Sequence, residues 1–257
     1  LPVDKITVHA LLLGGGFGRK SKPDFVMEAA ILSRAMDGRP VKVTFTREDD
    51  LQHSFFHTVS VERIDAGVDG AGKATAWLHR TVAPTILSIF APDPGHEAPF
   101  ELAMGAVDNP FAIPNFRVEN PEAKAHTRIG WFRSVSNIPH GFAIQSFVSE
   151  MAAALKRDPK DYLLELIGPA RQIDANAMSD KWLYGEDPQR YPFDTGRLRA
   201  VVERAAKEAG GGRTLPQGRG LGIAAHRSFV SYTAVVVEAV VGARGELTIP
   251  RVDIAFD

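Results

Sequence analysis

The sequence predicts an α+β fold in which mixed sheets, built from β-hairpins, pack with amphipathic helices. Two stretches of alternating apolar and polar residues flank glycine-bearing turns, VDGAGK between His57 and Val82 and GARGE between Tyr232 and Ala255. Other stretches carry apolar residues at helical spacing and stop at glycine or Asp-Pro. Neither period dominates the chain, which points to mixed layers.

Taken in order, Lys5 to Leu13 (KITVHALLL) reads as a buried strand that runs into glycines. SKPDFVMEAAILSRAMDG follows as a helix. Ser21 and Asp24 have capping-box spacing and Pro23 falls in the first turn. Phe25, Ala29, Leu32 and Met36 share a face, and Gly38 is the stop. RPVKVTFTRED reads as a strand, with Val41, Val43 and Phe45 alternating with Lys42 and Thr44. The two hairpins share one grammar, a hint of an internal repeat. APTILSIFAPDPGHEAPF is proline-rich and irregular, expected to run over the surface or over a partner. HGFAIQSFVSEMAAALKRDPKDYLLELIG predicts a helix with Phe142, Ile144, Phe147, Met151 and Leu155 on one broad face, a break at Asp158-Pro159, and a second helix to Gly168. TGRLRAVVERAAKEAGGGR is a third amphipathic helix, halted by glycines.

Length and composition bound the function. The 257 residues are 44% hydrophobic and 24% charged, enough to bury a core, and the formal charge of -1 supplies no global field for nucleic acid or an anionic membrane. The absence of cysteine removes disulfides, thiolate metal sites, cysteine nucleophiles and iron–sulfur clusters held by this chain. The apolar runs fall far short of the roughly 18–20 residues that span a bilayer, so no direct membrane insertion is expected. The chain starts at Leu1 and stops at Asp257 inside an alternating run, so a central fragment of a longer polypeptide is expected.

The loop LLLGGGFGRK, Leu11 to Lys20, is the first candidate site. Gly14, Gly15, Gly16 and Gly18 leave backbone N–H groups uncovered and tolerate positive φ, the requirements of an amide nest for an oxygen-bearing ligand. A plain strand-to-helix turn fits the composition equally well. The spacing matches neither a Walker loop nor G-x-G-x-x-G. The second candidate is RIGWFRSVSN, Arg128 to Asn137, where backbone amides and an aromatic wall could face a ligand, although buried cores also use Trp and Phe freely. His53 and His57 lack the glutamate of a helical zinc motif, and His226, Ser228 and Ser231 lack a nucleophile elbow. The REDD run at Arg47 to Asp50 reads as a solvated face, and neither Gly185-Glu186 nor Gly245-Glu246 reads as a pocket base.

Four motifs in order, LLLGGGFGRK…DFVMEAAILS…RPVKVTFTREDDLQH, IPNFRVE, GWFRSVSNIPHGFAIQSFVSEMAAAL and GRGLGIAAHRSFVSYTAVVVE, resemble the molybdopterin-binding large subunit of the xanthine oxidase family. The branch they resemble most is the beta subunit of isoquinoline 1-oxidoreductase and related bacterial aldehyde oxidoreductases. The resemblance covers nearly the whole chain. It implies the α+β molybdenum cofactor-binding domain of aldehyde oxidase and xanthine dehydrogenase over 1–257, with a division into two subdomains near 168–195.

The resemblance also implies a ligand. Molybdopterin, as the cytosine dinucleotide, holds molybdenum through its own dithiolene, so no protein metal ligand is needed. Gly15, Gly16, Phe17 and Gly18 would line the metal end, Phe17 shielding it from water, and Phe132 and Arg133 would form the second loop. The implied reaction is hydroxylation of a small N-heterocycle or aldehyde with water as oxygen source. Electrons would leave to iron–sulfur clusters on a separate small subunit. The family's catalytic glutamate, a glutamine-bearing segment and a pterin-phosphate segment have no match here, so no catalytic residue is assigned and the base is expected outside this chain. Implied partners are the remainder of its own large subunit and the iron–sulfur subunit; the compartment, cytoplasm or periplasm, is left open. A non-catalytic assembly module that retained the fold is the alternative.

Overall fold

A computed structural model of the chain describes residues 1–92, 94–124, 126–174 and 184–257. Helices α1 (Asp24–Ala35) and α2 (Arg47–His53) precede the hairpin β1 (Val61–Val68) and β2 (Ala74–Val82). Next come α3 (Pro99–Leu102), β3 (Asn115–Glu119), the long α4 (Asn137–Ala154) and α5 (Pro159–Ile167). A short ribbon, β4 (Gln172–Ile173) and β5 (Phe193–Asp194), leads to α6 (Thr195–Glu208) and the strands β6 (Arg219–Ser228), β7 (Ser231–Val241) and β8 (Leu247–Phe256). The architecture is α+β, as expected. In one sheet β1 pairs antiparallel with β2 and β2 parallel with β3; in the other β6, β7 and β8 form an antiparallel meander.

The sequence explains these elements locally. Asp69 Oδ1 accepts the N–H groups of Ala71 and Lys73, closing the turn between β1 and β2. Asp158 caps α5 through Asp161 N–H with Pro159 at its first position, and Asp194 caps α6 through Gly196 and Arg197. Alternation along β2 turns Trp77, His79 and Thr81 inward, and along β7 Tyr232, Ala234 and Val236. In α4 the inward stripe is His140, Ile144, Val148 and Met151. Helix α4 touches β1 on one sheet and β6 on the other, and α6 packs on β7. The main core forms between them from Trp77, Tyr162, Leu166, Leu198, Val202 and Tyr232. Both β2 and α4 are apolar where they enter this core and polar at the end that approaches the candidate site.

Several expectations are corrected. Residues 6–13 have no strand partner among the described residues, and Leu11, Leu12 and Leu13 are exposed rather than buried. Residues 40–46 are likewise unpaired; Thr46 and Asp49 form a capping box, so the REDD run opens α2 instead of closing a strand, and it is solvated as expected. The capping box expected at Ser21 and Asp24 is absent, because Asp24 is occupied by a two-pronged ion pair with Arg19 at 2.8 and 2.9 Å. Phe142 is 77% exposed, off the inward stripe. The proline-rich segment, expected over the surface or over a partner, is buried at both ends, at Ala83, Thr85 and Ile86 and at Glu97 and Ala98, and exposed between them at Ser88 and Phe90; Ile86 forms a second small core with Met104 and Val135. The hairpins acquire different third strands, parallel β3 and antiparallel β6, so nothing beyond the hairpin repeats.

Trp77 meets Phe111 and Phe147 edge-on and Phe116 in a stack, at 5.3 to 6.2 Å between centroids. Trp77→Ala is expected to cost about 3–5 kcal/mol in urea unfolding. Tyr162→Phe, which removes a buried hydroxyl without a partner, is expected to stay within about 1 kcal/mol of the parent.

Candidate functional site

The glycine loop is a tight turn with its amides free. Arg19 N–H donates to Gly16 O at 2.9 Å and Ser21 N–H to Gly18 O at 3.2 Å. Among the described residues, no acceptor is bonded to the N–H groups of Gly14, Gly15, Gly16, Phe17 or Gly18. Phe17 and Gly18 both have positive φ, 49° and 84°, which turns successive amides toward one side. The Phe17 ring folds back over Gly15, where an added Cβ would lie 2.8 Å from it, and remains 67% exposed. Arg19, anchored on Asp24, fixes the end of the loop to α1.

The second loop meets the first at one point. A Cβ on Gly18 would lie 2.7 Å from the carbonyl carbon and oxygen of Trp131, so only glycine permits this approach. The loop is laid in place by a parallel bridge between Phe56 and Ile129, with Phe56 N–H donating to Arg128 O and Gly130 N–H to Phe56 O. Trp131 stacks on Phe100, and His57 sets its ring edge-on to Phe132 while its Nε2 sits 3.0 Å from Val135 O. Ser134 and Val135 are both in the left-handed region, φ 70° and 46°. The N–H groups of Trp131, Phe132, Arg133 and Ser134 likewise lack an acceptor among the described residues. Phe132 and Arg133 are exposed. Arg19, Lys22 and Arg128 lie 5.4 to 5.5 Å from the ring of Phe55, so positive charge gathers where the loops join.

Behind the second loop lies a buried polar layer at the start of α4. Asn137 Oδ1 accepts from His226 Nε2 at 2.8 Å and from the Tyr184 hydroxyl at 3.1 Å. His140 places Nδ1 3.1 Å from Met104 O and Nε2 3.3 Å from Thr81 Oγ1. Thr81 also meets Glu62 and Glu97, at 3.1 and 2.9 Å, and Glu62 accepts from His79 at 2.7 Å. Glu101 accepts from Thr85 Oγ1 and from the N–H groups of Ile86 and Ala98. Burial drives the pKa of His140 and of His226 down to about 4. Burial also raises Glu97 to about 8 and Asp108 to about 7, the latter 3.8 Å from buried Arg227.

The fold and site define a class: an α+β domain in which two loops present unpaired amides beside a cationic rim. The molybdopterin cofactor-binding domain family matches residues 1–163, and the chain belongs to that family, whose members include molybdenum oxidoreductases. The chain is 31% identical over 236 residues to the membrane-bound aldehyde dehydrogenase [pyrroloquinoline-quinone] of Gluconacetobacter polyoxogenes, covering 87% of this chain and 29% of that protein. It is 29% identical over 272 residues to a nicotinate dehydrogenase subunit of Pseudomonas putida, covering 98% of this chain and 21% of that one. Over 171 residues, 63% of this chain and 21% of the relative, it is 29% identical to the beta subunit of isoquinoline 1-oxidoreductase of Brevundimonas diminuta. The fold is similar to that of the aldehyde oxidoreductase from Desulfovibrio gigas, with TM-score 0.58 and 18% identity over 92% of this chain and 25% of that one. The chain thus spans between a fifth and a third of the length of these relatives.

The structure brings the glycine loop and the Phe132–Arg133 loop together, as a shared site requires. No group of three metal-ligating side chains occurs among the described residues. His226 is a buried partner of Asn137, and Ser228 faces Ser231 across a turn, in keeping with the absence of a nucleophile elbow. His57 was unassigned in the sequence yet touches Phe132, and Phe55 and the Thr81 cluster were not visible there either. These contacts join residues dozens of positions apart, and no local motif encodes them.

Gly18→Ala is expected to destabilise the protein by at least about 1–2 kcal/mol from its left-handed backbone alone, with more from the displaced Trp131. Gly16→Ala meets only side-chain atoms at 3.6 Å or more and is expected to leave the unfolding midpoint unchanged. His140 and His226 are neutral in the folded protein but protonated in the unfolded chain below the usual histidine pKa of 6.5. The histidine contribution to stability is therefore expected to fall from pH 6.5 to 4, by roughly 3 kcal/mol per histidine at most, while the raised pKa values of Glu97 and Asp108 act in the opposite sense over the same range. His226→Gln is expected to flatten that acid limb of a pH series of denaturation curves.

Proposed function

We propose that this chain is the cofactor-binding part of the large subunit of a molybdenum hydroxylase that oxidises a small N-heterocycle or an aldehyde, with water as oxygen source. The observation that carries the reading is the pair of loops with unspent amides meeting at Gly18 and Trp131. Such amides fit an oxygen-rich anionic group and would be costly to cover with apolar matter. Molybdopterin with molybdenum, as the cytosine dinucleotide, is that group, and the dithiolene holds the metal without protein ligands.

When bound, the cofactor supplies the metal-centred oxidation. The chain's own residues bind, orient and exclude water. The N–H groups of Gly15, Gly16, Phe17 and Gly18 would hold the cofactor's oxygens by hydrogen bonding. Phe17 and Phe132 would cover it with apolar rings, and Arg133 would bring a positive charge to it. His57 holds Phe132 edge-on. The base would be a glutamate from outside this chain, and an iron–sulfur subunit would be the electron acceptor.

Relatives named for aldehyde, nicotinate and isoquinoline oxidation support the substrate class. The exposed apolar residues Leu11, Leu12, Leu13, Met27 and Ile31 support docking against the remainder of the same large subunit. No helix among the described residues is long and apolar enough to cross a membrane.

The intact large subunit is expected to purify with stoichiometric molybdenum by elemental analysis. Gly16→Val, whose Cβ would meet only side-chain atoms of Leu13 and Lys20 at 3.6 Å or more, is expected to lose most of that metal while keeping its circular dichroism. Full metal content in that folded variant would reduce the loop to a mere turn.

A further inference from the structure

We propose that Glu97 is held as a neutral carboxylic acid and that its proton makes it a positioning residue for the loop carrying Phe132 and Arg133. Protons can be counted at this centre. Thr81 Oγ1 lies 2.9 Å from Glu97 Oε2, 3.1 Å from Glu62 Oε1 and 3.3 Å from His140 Nε2. A threonine hydroxyl carries a single hydrogen. His140 Nδ1 faces the Met104 carbonyl, which only accepts, so the hydrogen of the neutral ring is there and Nε2 presents a lone pair. With both glutamates ionised, three acceptors would converge on one hydrogen in a region closed to water. One further proton removes the conflict between the two carboxylates, while His140 Nε2 keeps its lone pair toward the hydroxyl oxygen without a hydrogen.

Glu97 is where that proton sits. The Glu62 side chain is 10% exposed and accepts from His79 Nε2 at 2.7 Å, so its charge is met. The Glu97 side chain is 1% exposed, and no lysine or arginine among the described residues pairs with it. Glu97 Oε2–H then donates to Thr81 Oγ1, and the Thr81 hydrogen passes to Glu62 Oε1. Burial holds the Glu97 carboxyl up at about 8, and the neighbouring charges of Glu101 and Glu62 act in the same sense.

The proton matters to the loop through α4. Glu97 Oε1 is 3.8 Å from His140 Nε2, in the first turns of that helix. Glu97 Oε1 and Ser136 Oγ are both buried without a partner of good geometry, yet close enough for the hydroxyl to act on the carboxyl. The groups facing Glu97 are Glu62 from β1, Thr81 from β2, Glu101 from α3, and Ser136 and His140 at the start of α4, with His79 bonded to Glu62 behind them. An ionised Glu97 would face two other carboxyl groups and the His140 lone pair. The least supported backbone nearby is the left-handed pair Ser134 and Val135, immediately before Ser136. That pair yields, and Phe132 and Arg133 move with it.

The positioning role rests on the cofactor reading; the proton does not, so the two are tested separately in the intact large subunit. In infrared difference spectra at neutral pH, wild type minus Glu97→Gln is expected to show the C=O stretch of a protonated carboxylic acid; a carboxylate signal instead would overturn the neutral acid and move the proton to His140. The folded pKa lies above the unfolded 4.5, so the stability this proton confers is complete below 4.5 and lost as pH rises through 8. The wild-type melting temperature is therefore expected to fall from pH 5 to 8 relative to Glu97→Gln, and parallel curves would overturn the same claim. Wild type is expected to shed molybdenum above about pH 8 while Glu97→Gln, a neutral isostere, retains it. Identical metal-loss profiles beside a clear acid band would leave the neutral acid standing and overturn the positioning role. Wild-type protein without molybdenum at any pH would remove the cofactor reading and the positioning role together.

Discussion

Residue 18 has no side chain, and the joining of the two loops depends on that. Its α-carbon lies against the Trp131 carbonyl, where a Cβ would overlap backbone atoms that cannot swing aside. Its positive φ also turns the amides of the first loop toward the second. Everything else at the site adjusts around this contact. Arg19 ties the first loop to α1 through Asp24, and the Phe56–Ile129 bridge ties the second to the chain leading into β1. The aromatic rings of Phe55 and Phe100 fill the space on either side.

The support behind the loops changes character along its length. Trp77 on β2 and Ile144, Val148 and Met151 on α4 belong to a close-packed apolar core. Two to four residues further along β2, and one turn toward the start of α4, the same inward faces carry His79, Thr81 and His140. Apolar packing fixes where the two elements lie, and directional hydrogen bonds fix their ends. A loop resting on such an end inherits a defined orientation. The cost is a set of buried carboxyl groups and histidines whose protonation is set by their surroundings.

Much of the fold was legible in the sequence wherever the signal is local. Asp69 with its glycines announced one hairpin, Asp158-Pro159 the start of α5, and the amphipathic run TGRLRAVVERAAKEAGGGR announced α6. The sequence misled where apolar residues have no partner in the fold. KITVHALLL has the composition of a buried strand, yet strand formation depends on a neighbour to bond with, and residues 6–13 have none among those described. Asp24 fits a cap and instead binds Arg19. At the site, the glycines and the Phe-Arg pair stood out because their side chains, or lack of them, are unusual in sequence. His57, Thr81 and Glu97 did not, since their roles exist only once β1, β2, α3 and α4 are assembled.

The left-handed pair Ser134 and Val135 carries a consequence for the order of events during maturation. A β-branched residue in that region costs about 1–3 kcal/mol and persists only while its surroundings insist on it. Those surroundings are long-range: His57 on the Val135 carbonyl, Ile86 and Met104 around its side chain, and the start of α4 behind. None exists in a nascent or partly collapsed chain. The second loop therefore acquires its shape only after those distant segments have come together.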